Sequence, residues 1–180
     1  MEKRFESTEN LKKIAIIGPE CTGKTTLSRQ LALHYKTIWV PEFARDYIEK
    51  LQRKYVFEDL EIIARNQFAQ INAKYPEASD YVFFDTDLII TKVWFEVVFN
   101  KVPGWINSAI AISNFDLYLL CNIDIHWEPD TVRENGGEMR KVLFNMYKQE
   151  LENHSLQYKI VTGTENARTE NALEIINKIA

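Results

Sequence analysis

Residues 18–25 read GPECTGKT, and this stretch constrains the fold more than any other in the chain. It matches the pattern G-x-x-x-x-G-K-[ST], in which glycines let several backbone N–H groups converge on one anion. The apolar run 13–17 precedes it directly, and a helical run over residues 25–35 follows. A chance match would lack this strand–loop–helix setting, in which the helix adds its positive N-terminal end. We therefore predict a P-loop that binds a nucleoside triphosphate.

Two side chains of the P-loop have distinct chemical tasks. Lys24 is placed to reach the β- and γ-phosphates, and the Thr25 hydroxyl is placed to bind Mg²⁺. We predict ATP and Mg²⁺ as cofactors and Lys24 as a catalytic residue, although the motif does not choose between ATP and GTP. The residues predicted to contact the nucleotide are Gly18, Glu20, Cys21, Thr22, Gly23, Lys24, Thr25 and Thr26.

Short apolar runs alternate with helical patterns along the 180 residues. The runs lack polar alternation, as strands buried on both faces do. They cover residues 13–17, 37–40, 81–84, 117–121 and 158–161. Apolar stripes with helical spacing cover residues 57–73, 138–151 and 168–179. This alternation predicts an α/β fold, namely a doubly wound five-stranded parallel sheet with helices on both faces.

The chain divides into a tail, one folded domain and a lid. Residues 1–10 are charged and polar without an apolar segment, so we expect a flexible N-terminal tail and not a signal peptide. One domain is then predicted over residues 11–180. Within it, residues 122–137 form a long loop-like connection, which in a compact domain is usually functional. We predict a lid over about residues 122–140.

Composition excludes several classes of partner. Lys and Arg number 22 against 26 Asp and Glu, a net charge of −4, which disfavours nucleic-acid binding by broad phosphate neutralisation. No apolar run approaches the roughly 18 residues that span a bilayer. Cys21 and Cys121 lack the spacing of a disulfide framework or a zinc site. We expect a cytoplasmic protein with no nucleic-acid or membrane partner, and its oligomeric state stays open.

Two aspartates follow the apolar run 81–84. Asp85 comes directly after it, where P-loop proteins place a carboxylate that holds Mg²⁺. We predict a metal-binding and catalytic role for Asp85 together with Thr25. Asp87 follows two residues later, and two interpretations remain: it binds a hydroxylated substrate, or it caps the next helix.

A second polar group, Glu42 and Arg45, follows the apolar run 37–40. The carboxyl ends of parallel strands face the ligand crevice, so both side chains are candidates for substrate binding. The Glu42 carboxylate can also accept a proton from a substrate hydroxyl. The alternative is a glutamate that merely favours the positive end of a helix.

The class of P-loop protein is narrowed by what the sequence lacks. It has no Asn-Lys-x-Asp for guanine, and Asp85 is not followed by the Asp-x-x-Gly pattern of GTPases. Small-molecule and nucleoside kinases remain, and these carry arginines on a lid. Arg133 and Arg140 suit that task, because arginines stabilise the charge of a transferring phosphoryl group. The alternative is that both arginines lie on the solvated surface and have no catalytic role.

Five segments in order resemble the ribosylnicotinamide kinase domain of NadR-type bacterial proteins. They are GPECTGKTTLSRQLA, WVPEFARDYI, FFDTDLIITKVW, VRENGGEMR and VTGTENARTENAL. The resemblance covers about residues 12–179. It implies ATP-dependent phosphorylation of the 5′-hydroxyl of nicotinamide riboside to nicotinamide mononucleotide. The sequence contains no adenylyltransferase domain or helix-turn-helix of full-length NadR-type proteins, so we expect neither activity from it.

The same resemblance implies roles for individual residues. It places Glu42, Arg45, Asp85 and Asp87 on the riboside side, Arg133 and Arg140 on the lid, and residues 163–168 beside adenine. A pyridinium ring stacks on aromatic faces, and the candidates for this contact are Trp94, Trp105 and Trp127. Trp127 is the one that we predict to bind substrate, and core packing is the alternative for each.

Two other functions stay open at this stage. One is a nucleoside or nucleotide kinase of different specificity. The other is a non-catalytic sensor that binds ATP and reports on NAD precursors. A sensor has no need of Glu42, Asp85 and two lid arginines together, which favours an enzyme.

Overall fold

The computed structural model describes residues 11–128 and 137–178. Five strands form one parallel sheet in the order β2-β3-β1-β4-β5. The strands are β1 (Lys12–Ile17), β2 (Ile38–Val40), β3 (Tyr81–Asp85), β4 (Leu117–Cys121) and β5 (Tyr158–Val161). This confirms the predicted doubly wound sheet. Strand β2 begins one residue later than predicted, because the Thr37 backbone N–H donates to the Ala32 carbonyl oxygen of α1 at 2.9 Å.

Helices cover both faces of the sheet. They are α1 (Lys24–His34), α2 (Phe43–Lys50), α3 (Phe57–Ile71), α4 (Leu88–Phe99), α5 (Ile106–Ile112), α6 (Glu138–Asn153) and α7 (Glu165–Asn177). The predicted α3 and α6 are confirmed with small shifts at their ends. Helix α7 begins three residues earlier than predicted, and α1 begins at Lys24 instead of residue 25. Helices α4 and α5 were not predicted from the sequence.

The two faces of the sheet bury separate cores, as alternation along β1 shows. Ile14 and Ile16 pack with α1 and α7 on one face. Ala15 and Ile17 point to the other face, where α2 to α6 contribute the larger core. Burying each large aliphatic side chain stabilises the fold by roughly 1.5–3 kcal/mol. The parallel sheet is therefore held from both sides, which explains its continuous apolar runs.

The two edges of the sheet differ in their loops. At the carboxyl edge, β1 leads into the P-loop, β2 into Glu42 and β3 into the aspartates. At the amino edge, three helix-to-strand reversals contain a residue with a left-handed backbone: Lys36 (φ 52°), Asn114 (φ 50°) and Ser155 (φ 53°). The candidate chemistry is thus gathered at one edge, as the rule for open parallel sheets predicts.

Some predictions fall on residues outside the described ranges. The tail at residues 1–10 and residues 129–136, which include Arg133, are among them. The tail, the lid and the role of Arg133 therefore stay predictions. No helix within residues 11–128 and 137–178 combines the length and the apolar character needed to cross a lipid bilayer.

Candidate functional site

The P-loop has the backbone that its glycines predict. Gly18 has φ 148°, and a Cβ at this position would lie 2.9 Å from the Cys121 carbonyl oxygen. Gly23 has φ 75° and occupies the N-cap position of α1. The Thr22 hydroxyl donates to the Pro19 carbonyl oxygen at 2.8 Å and braces the loop from inside. Only glycine fits Gly18 without displacing the end of β4, so the loop and the sheet are built together.

Three predicted residues meet beside this loop. Lys24 Nζ donates to the Pro19 carbonyl oxygen at 3.0 Å, and Thr25 Oγ1 donates to Asp85 Oδ2 at 2.5 Å. Burial raises the pKa of Asp85, while Lys24 and the hydrogen bond from Thr25 act in the opposite direction. The structure therefore brings together Lys24, Thr25 and Asp85, although Thr25 and Asp85 are 60 positions apart in the sequence.

The Thr25–Asp85 pair suits a magnesium ion. Asp85 Oδ1 is buried and has no hydrogen-bond partner among the described residues, so a ligating oxygen is available. Mg²⁺ is usually held by one or two carboxylates together with phosphate oxygens and water. Within residues 11–128 and 137–178, no three His, Cys, Asp or Glu side chains cluster as an all-protein metal site would require. The donor set thus fits an ion that arrives with a nucleotide.

A cavity of about 950 Å³ opens from the P-loop and continues along α2, α4 and α6. Its P-loop end is lined by Gly18, Glu20, Cys21, Thr22, Gly23, Lys24, Thr25 and Thr26. Its middle holds Glu42 and Arg45. Its apolar and aromatic lining, which we call the aromatic arm, comprises Ile48, Leu51, Tyr55, Ile90, Trp94, Val97, Val98, Leu143 and Tyr147. Every predicted nucleotide-contacting residue lines this cavity.

Glu42 lies in the cavity wall at the N-cap position of α2. Burial raises the pKa of its carboxyl group, and the nearby Asp85 adds to this effect. Lys24 and Arg45 lower that pKa and so favour the ionised form. Arg45 also lines the cavity, and its guanidinium lies 3.6 Å from Glu49. The structure places Glu42 and Arg45 on the predicted side of the crevice.

The aromatic arm contains one of the predicted tryptophans and two tyrosines that sequence analysis missed. Trp94 Nε1 donates to the Tyr55 hydroxyl at 3.1 Å, and the two rings meet edge to face at 5.1 Å between centroids. Tyr147 comes from the apolar stripe of α6, which we assigned to core packing alone. Tyr55 lies in the α2–α3 loop, where no motif marks it. The arm offers flat apolar surfaces to a planar ring.

Asp87 caps α4, as one of its two interpretations predicted. Its Oδ1 accepts from the Ile89 backbone N–H at 3.0 Å, and the side chain is not among those that line the cavity. Burial raises its pKa to about 7, opposed by hydrogen bonds that include one from Tyr118. Oδ2 is buried without a hydrogen-bond partner among the described residues. A substrate-binding role for Asp87 stays a prediction.

Arg140 lies beneath the P-loop and does not line the cavity. It is 6% exposed, and its guanidinium donates to the carbonyl oxygens of Ile125 at 2.9 Å and Cys21 at 3.1 Å. These contacts join the start of α6 to the P-loop. Its catalytic role on a lid stays a prediction, and the contacts present here are those of a brace.

The other two tryptophans lie away from the cavity. Trp127 is half-buried, and its Nε1 has no hydrogen-bond partner among the described residues. Trp105 donates to Glu61 at 3.3 Å and lies 4.8 Å under the Arg65 guanidinium. Packing is therefore the observed task of Trp105, and the predicted substrate contact of Trp127 stays a prediction.

A polar latch joins the loops after β4 and β5. The Gly163 backbone N–H donates to Asp124 Oδ2 at 2.7 Å. Arg168 donates to the carbonyl oxygens of Gly163 at 2.9 Å and Asn122 at 3.1 Å. A Cβ on Gly23 would lie 3.9 Å from the Arg168 side chain, so this latch borders the P-loop. Sequence analysis marked residues 163–168 but missed Asp124, whose partner is distant in sequence.

Comparison with known proteins agrees with this geometry. The family model AAA_28, described as an AAA domain, matches residues 13–168, and the chain therefore belongs to that family. The Trifunctional NAD biosynthesis/regulator protein NadR of Salmonella typhimurium is 25% identical over 155 residues. That match covers 82% of this chain but only 37% of the relative, so this chain spans little more than a third of its length.

Solved structures place the fold among P-loop kinases. A structure of NadR protein in complex with NR superposes with a TM-score of 0.77 at 23% identity, covering 94% of this chain and 50% of that one. Deoxyadenosine kinase from M. mycoides superposes with a TM-score of 0.64 at 16% identity, covering 93% of this chain and 100% of that one. The predicted fold and the resemblance to NadR are both confirmed.

Proposed function

We propose that this protein is an ATP-dependent kinase that phosphorylates the 5′-hydroxyl of nicotinamide riboside. One observation carries the proposal: a single cavity is lined by the P-loop, Glu42 and the aromatic arm. A loop for a phosphate donor, a proton acceptor and a surface for a planar ring are thereby brought together in one cavity.

The side chains have complementary tasks in the proposed reaction. The riboside oxygen forms a bond to the γ-phosphorus, its proton passes to the Glu42 carboxylate, and the bond to ADP breaks. Lys24 places a positive charge beside the phosphates. Thr25 and Asp85 would hold Mg²⁺, which when bound neutralises charge on the phosphate oxygens. Burial raises the pKa of Glu42, which makes it a better proton acceptor, and Lys24 and Arg45 oppose that rise.

The aromatic arm supports a pyridinium riboside as the acceptor. Trp94 and Tyr55 form a T-shaped pair whose faces suit a flat cation. The homology to NadR, one of whose structures is in complex with NR, supports the same acceptor.

A nucleoside kinase of other specificity is the second candidate. Its support is the superposition on deoxyadenosine kinase, which this chain covers over that protein's whole length. A planar nucleobase could occupy the aromatic arm as a pyridine ring does, because stacking alone discriminates weakly between rings.

A panel of acceptors tests both candidates. ADP release with Mg²⁺–ATP would be measured with nicotinamide riboside, deoxyadenosine, cytidine, thymidine and no acceptor, and products would be identified by mass. We expect nicotinamide riboside to give the highest kcat/KM, with Lys24→Ala as the inactive control. A higher value for any nucleoside would favour the second candidate. ATP binding without ADP release for any acceptor would contradict both and indicate a sensor.

A further inference from the structure

The residue between the two aspartates has an unfavourable backbone. Thr86 has φ 75° and is 5% exposed, at the point where β3 turns into α4. A β-branched residue rarely adopts a positive φ, because its Cβ substituents crowd the backbone. Such strain persists only where surrounding contacts enforce it, and it occurs most often at functional sites. Thr86 therefore needs a restraint.

Gln67 supplies that restraint from α3. Its Nε2 donates to Thr86 Oγ1 at 3.1 Å, and its Oε1 accepts a hydrogen bond from the Thr91 hydroxyl in α4. Gln67 is 5% exposed and Thr91 is 1% exposed, so water does not compete for these bonds. The Thr86 backbone N–H donates to the Ile16 carbonyl oxygen at 3.0 Å and extends the sheet by one residue. The turn is thus fixed from α3, α4 and β1.

The turn fixed in this way carries the proposed metal ligand. Asp85 directly precedes Thr86, and its Oδ2 accepts from Thr25 while its Oδ1 has no partner among the described residues. Only one hydrogen bond from a side chain thus orients the carboxylate, so its direction depends on the backbone that presents it. We propose that Gln67 is a positioning residue, which holds Thr86 in its left-handed conformation and thereby aims Asp85 at the metal–nucleotide site.

The contact pattern distinguishes this role from simple core packing. An apolar side chain would fill the same space between α3 and α4, yet both ends of the Gln67 amide are used on residues of the β3–α4 turn and α4. The inference rests on the metal–nucleotide site of the proposed function, but not on the identity of the acceptor. Partners that orient a metal ligand typically change metal affinity by about 10–100-fold when they are removed.

The test uses Gln67→Met, which keeps the side-chain length and removes both hydrogen bonds. Mn²⁺ binding would be measured by electron paramagnetic resonance in the presence of a non-hydrolysable ATP analogue, together with metal-free binding of that analogue. We expect Mn²⁺ affinity to fall about 10–100-fold, while binding of the metal-free analogue stays within about twofold. The Mg²⁺ concentration for half-maximal turnover should rise in parallel.

Thr37→Val is the matched control. Thr37 Oγ1 also makes two hydrogen bonds, to Tyr81 and Ser79, at the opposite end of β3. Loss of the Thr37 hydroxyl should lower the Tm without altering Mn²⁺ affinity. Equal weakening of Mn²⁺ binding by Thr37→Val and Gln67→Met would overturn the proposal, since general destabilisation would then explain both.

Variants of Thr86 decide the matter if Gln67→Met does not fold. Thr86→Val removes the hydroxyl and should weaken Mn²⁺ binding, whereas Thr86→Ser keeps it and should restore binding. Unchanged Mn²⁺ affinity in Gln67→Met, or in Thr86→Val, would overturn the proposal. A wild-type protein that binds Mn²⁺ with the analogue but phosphorylates no riboside would instead contradict the proposed function alone.

Discussion

Lys24 exerts its charge on both carboxylates of the cavity. It lowers the pKa of Glu42 and of Asp85, and burial raises the pKa of each. The two carboxylates share the charges of Lys24 and Arg45, whereas the hydrogen bond from Thr25 belongs to Asp85. On this difference we propose metal binding for Asp85 and proton transfer for Glu42.

Amide variants should separate these two roles. Glu42→Gln removes the proton acceptor, so we expect kcat to fall about 100-fold, the low end for a general base, with the Mg²⁺ dependence unchanged. Asp85→Asn removes charge from the metal ligand, so we expect the Mg²⁺ requirement to rise strongly. The measurement is kcat against Mg²⁺ concentration for both variants. The opposite pattern, in which only Glu42→Gln moves the metal curve, would reverse the two assignments.

Asp87 should make stability depend on pH. Burial raises its pKa from 3.8 to about 7, so the folded protein retains a proton that the unfolded chain has released. Its contribution to stability is present below about pH 4 and is lost as the pH rises through about 7. Asn keeps the capping oxygen and cannot ionise. The Tm advantage of Asp87→Asn over wild type should therefore grow between pH 5 and pH 8, by about 5 °C or more.

Thermal unfolding across that pH range provides the check. Parallel Tm curves for the two proteins would contradict the raised pKa. Asp116→Asn is a suitable comparison, since that carboxylate accepts a hydrogen bond from the Lys13 backbone N–H at an exposed site on the amino edge of the sheet.

Single residues were predictable where a motif fixes their spacing. The P-loop, Glu42 and Asp85 follow strand ends in the sequence, and parallel strands bring those ends together. Gln67 and Tyr55 were not predictable, because a polar residue on an apolar helix stripe and a tyrosine in a loop carry no local signal. Their importance arises from contacts between segments that are distant along the chain.

Helices α4 and α6 frame the aromatic arm, and a buried ion pair joins them. Lys92 of α4 and Glu150 of α6 are each 8% exposed, and their charged atoms form a direct hydrogen bond. Glu96 and His154 lie nearby at 3.8 and 3.6 Å from this pair. Removing one partner would leave the other charge buried and unpaired, which is far more costly than losing both.

The ion pair predicts non-additive stability changes. Lys92→Met should lower the free energy of unfolding by about 3–5 kcal/mol, and the double variant Lys92→Met/Glu150→Leu should recover most of that loss. Lys148→Met, which removes an exposed partner of Glu152 on the same helix, should change it by less than about 1 kcal/mol. Urea unfolding of wild type, Lys92→Met, Glu150→Leu, the double variant and Lys148→Met measures these values. Additive losses from Lys92 and Glu150 would contradict the coupling.

Helix prediction failed where the apolar pattern has no period. Helix α4 reads LIITKVWFEVVF, which is apolar on nearly every side because it packs against α3, α5 and α6. A helix buried on most sides shows no stripe, and a short apolar run then resembles a strand. Helix α3, which is exposed on one face, showed its stripe and was predicted correctly.

Nucleotide binding should raise the thermal stability of the whole molecule. A nucleotide that binds only the folded state at 100 times its Kd stabilises it by about 2.7 kcal/mol. For a chain of this size, we expect Mg²⁺–ATP to raise the Tm by about 5–10 °C. Lys24→Ala should keep the Tm of the free protein and lose most of this rise, because Lys24 meets the phosphates at the cavity surface.

Differential scanning fluorimetry with ATP and GTP measures both effects. A Tm that is unaffected by either nucleotide would contradict the P-loop assignment. A larger rise with GTP would show that the protein prefers guanine, a choice that the P-loop motif left open.

The residues with a left-handed backbone lie at the amino edge of the sheet, so changes that affect stability there are distant from the candidate site. Lys36 and Ser155 take a backbone conformation that glycine adopts freely, and both lie at the edge of the sheet opposite the cavity. Selection for heat resistance could therefore act on these reversals while the carboxyl edge stays unchanged. Acceptor choice, by contrast, is proposed to depend on the cavity at the carboxyl edge, which includes the aromatic arm. Substitutions that change stability and substitutions that change acceptor choice can therefore accumulate separately, the first at the amino edge and the second at the carboxyl edge.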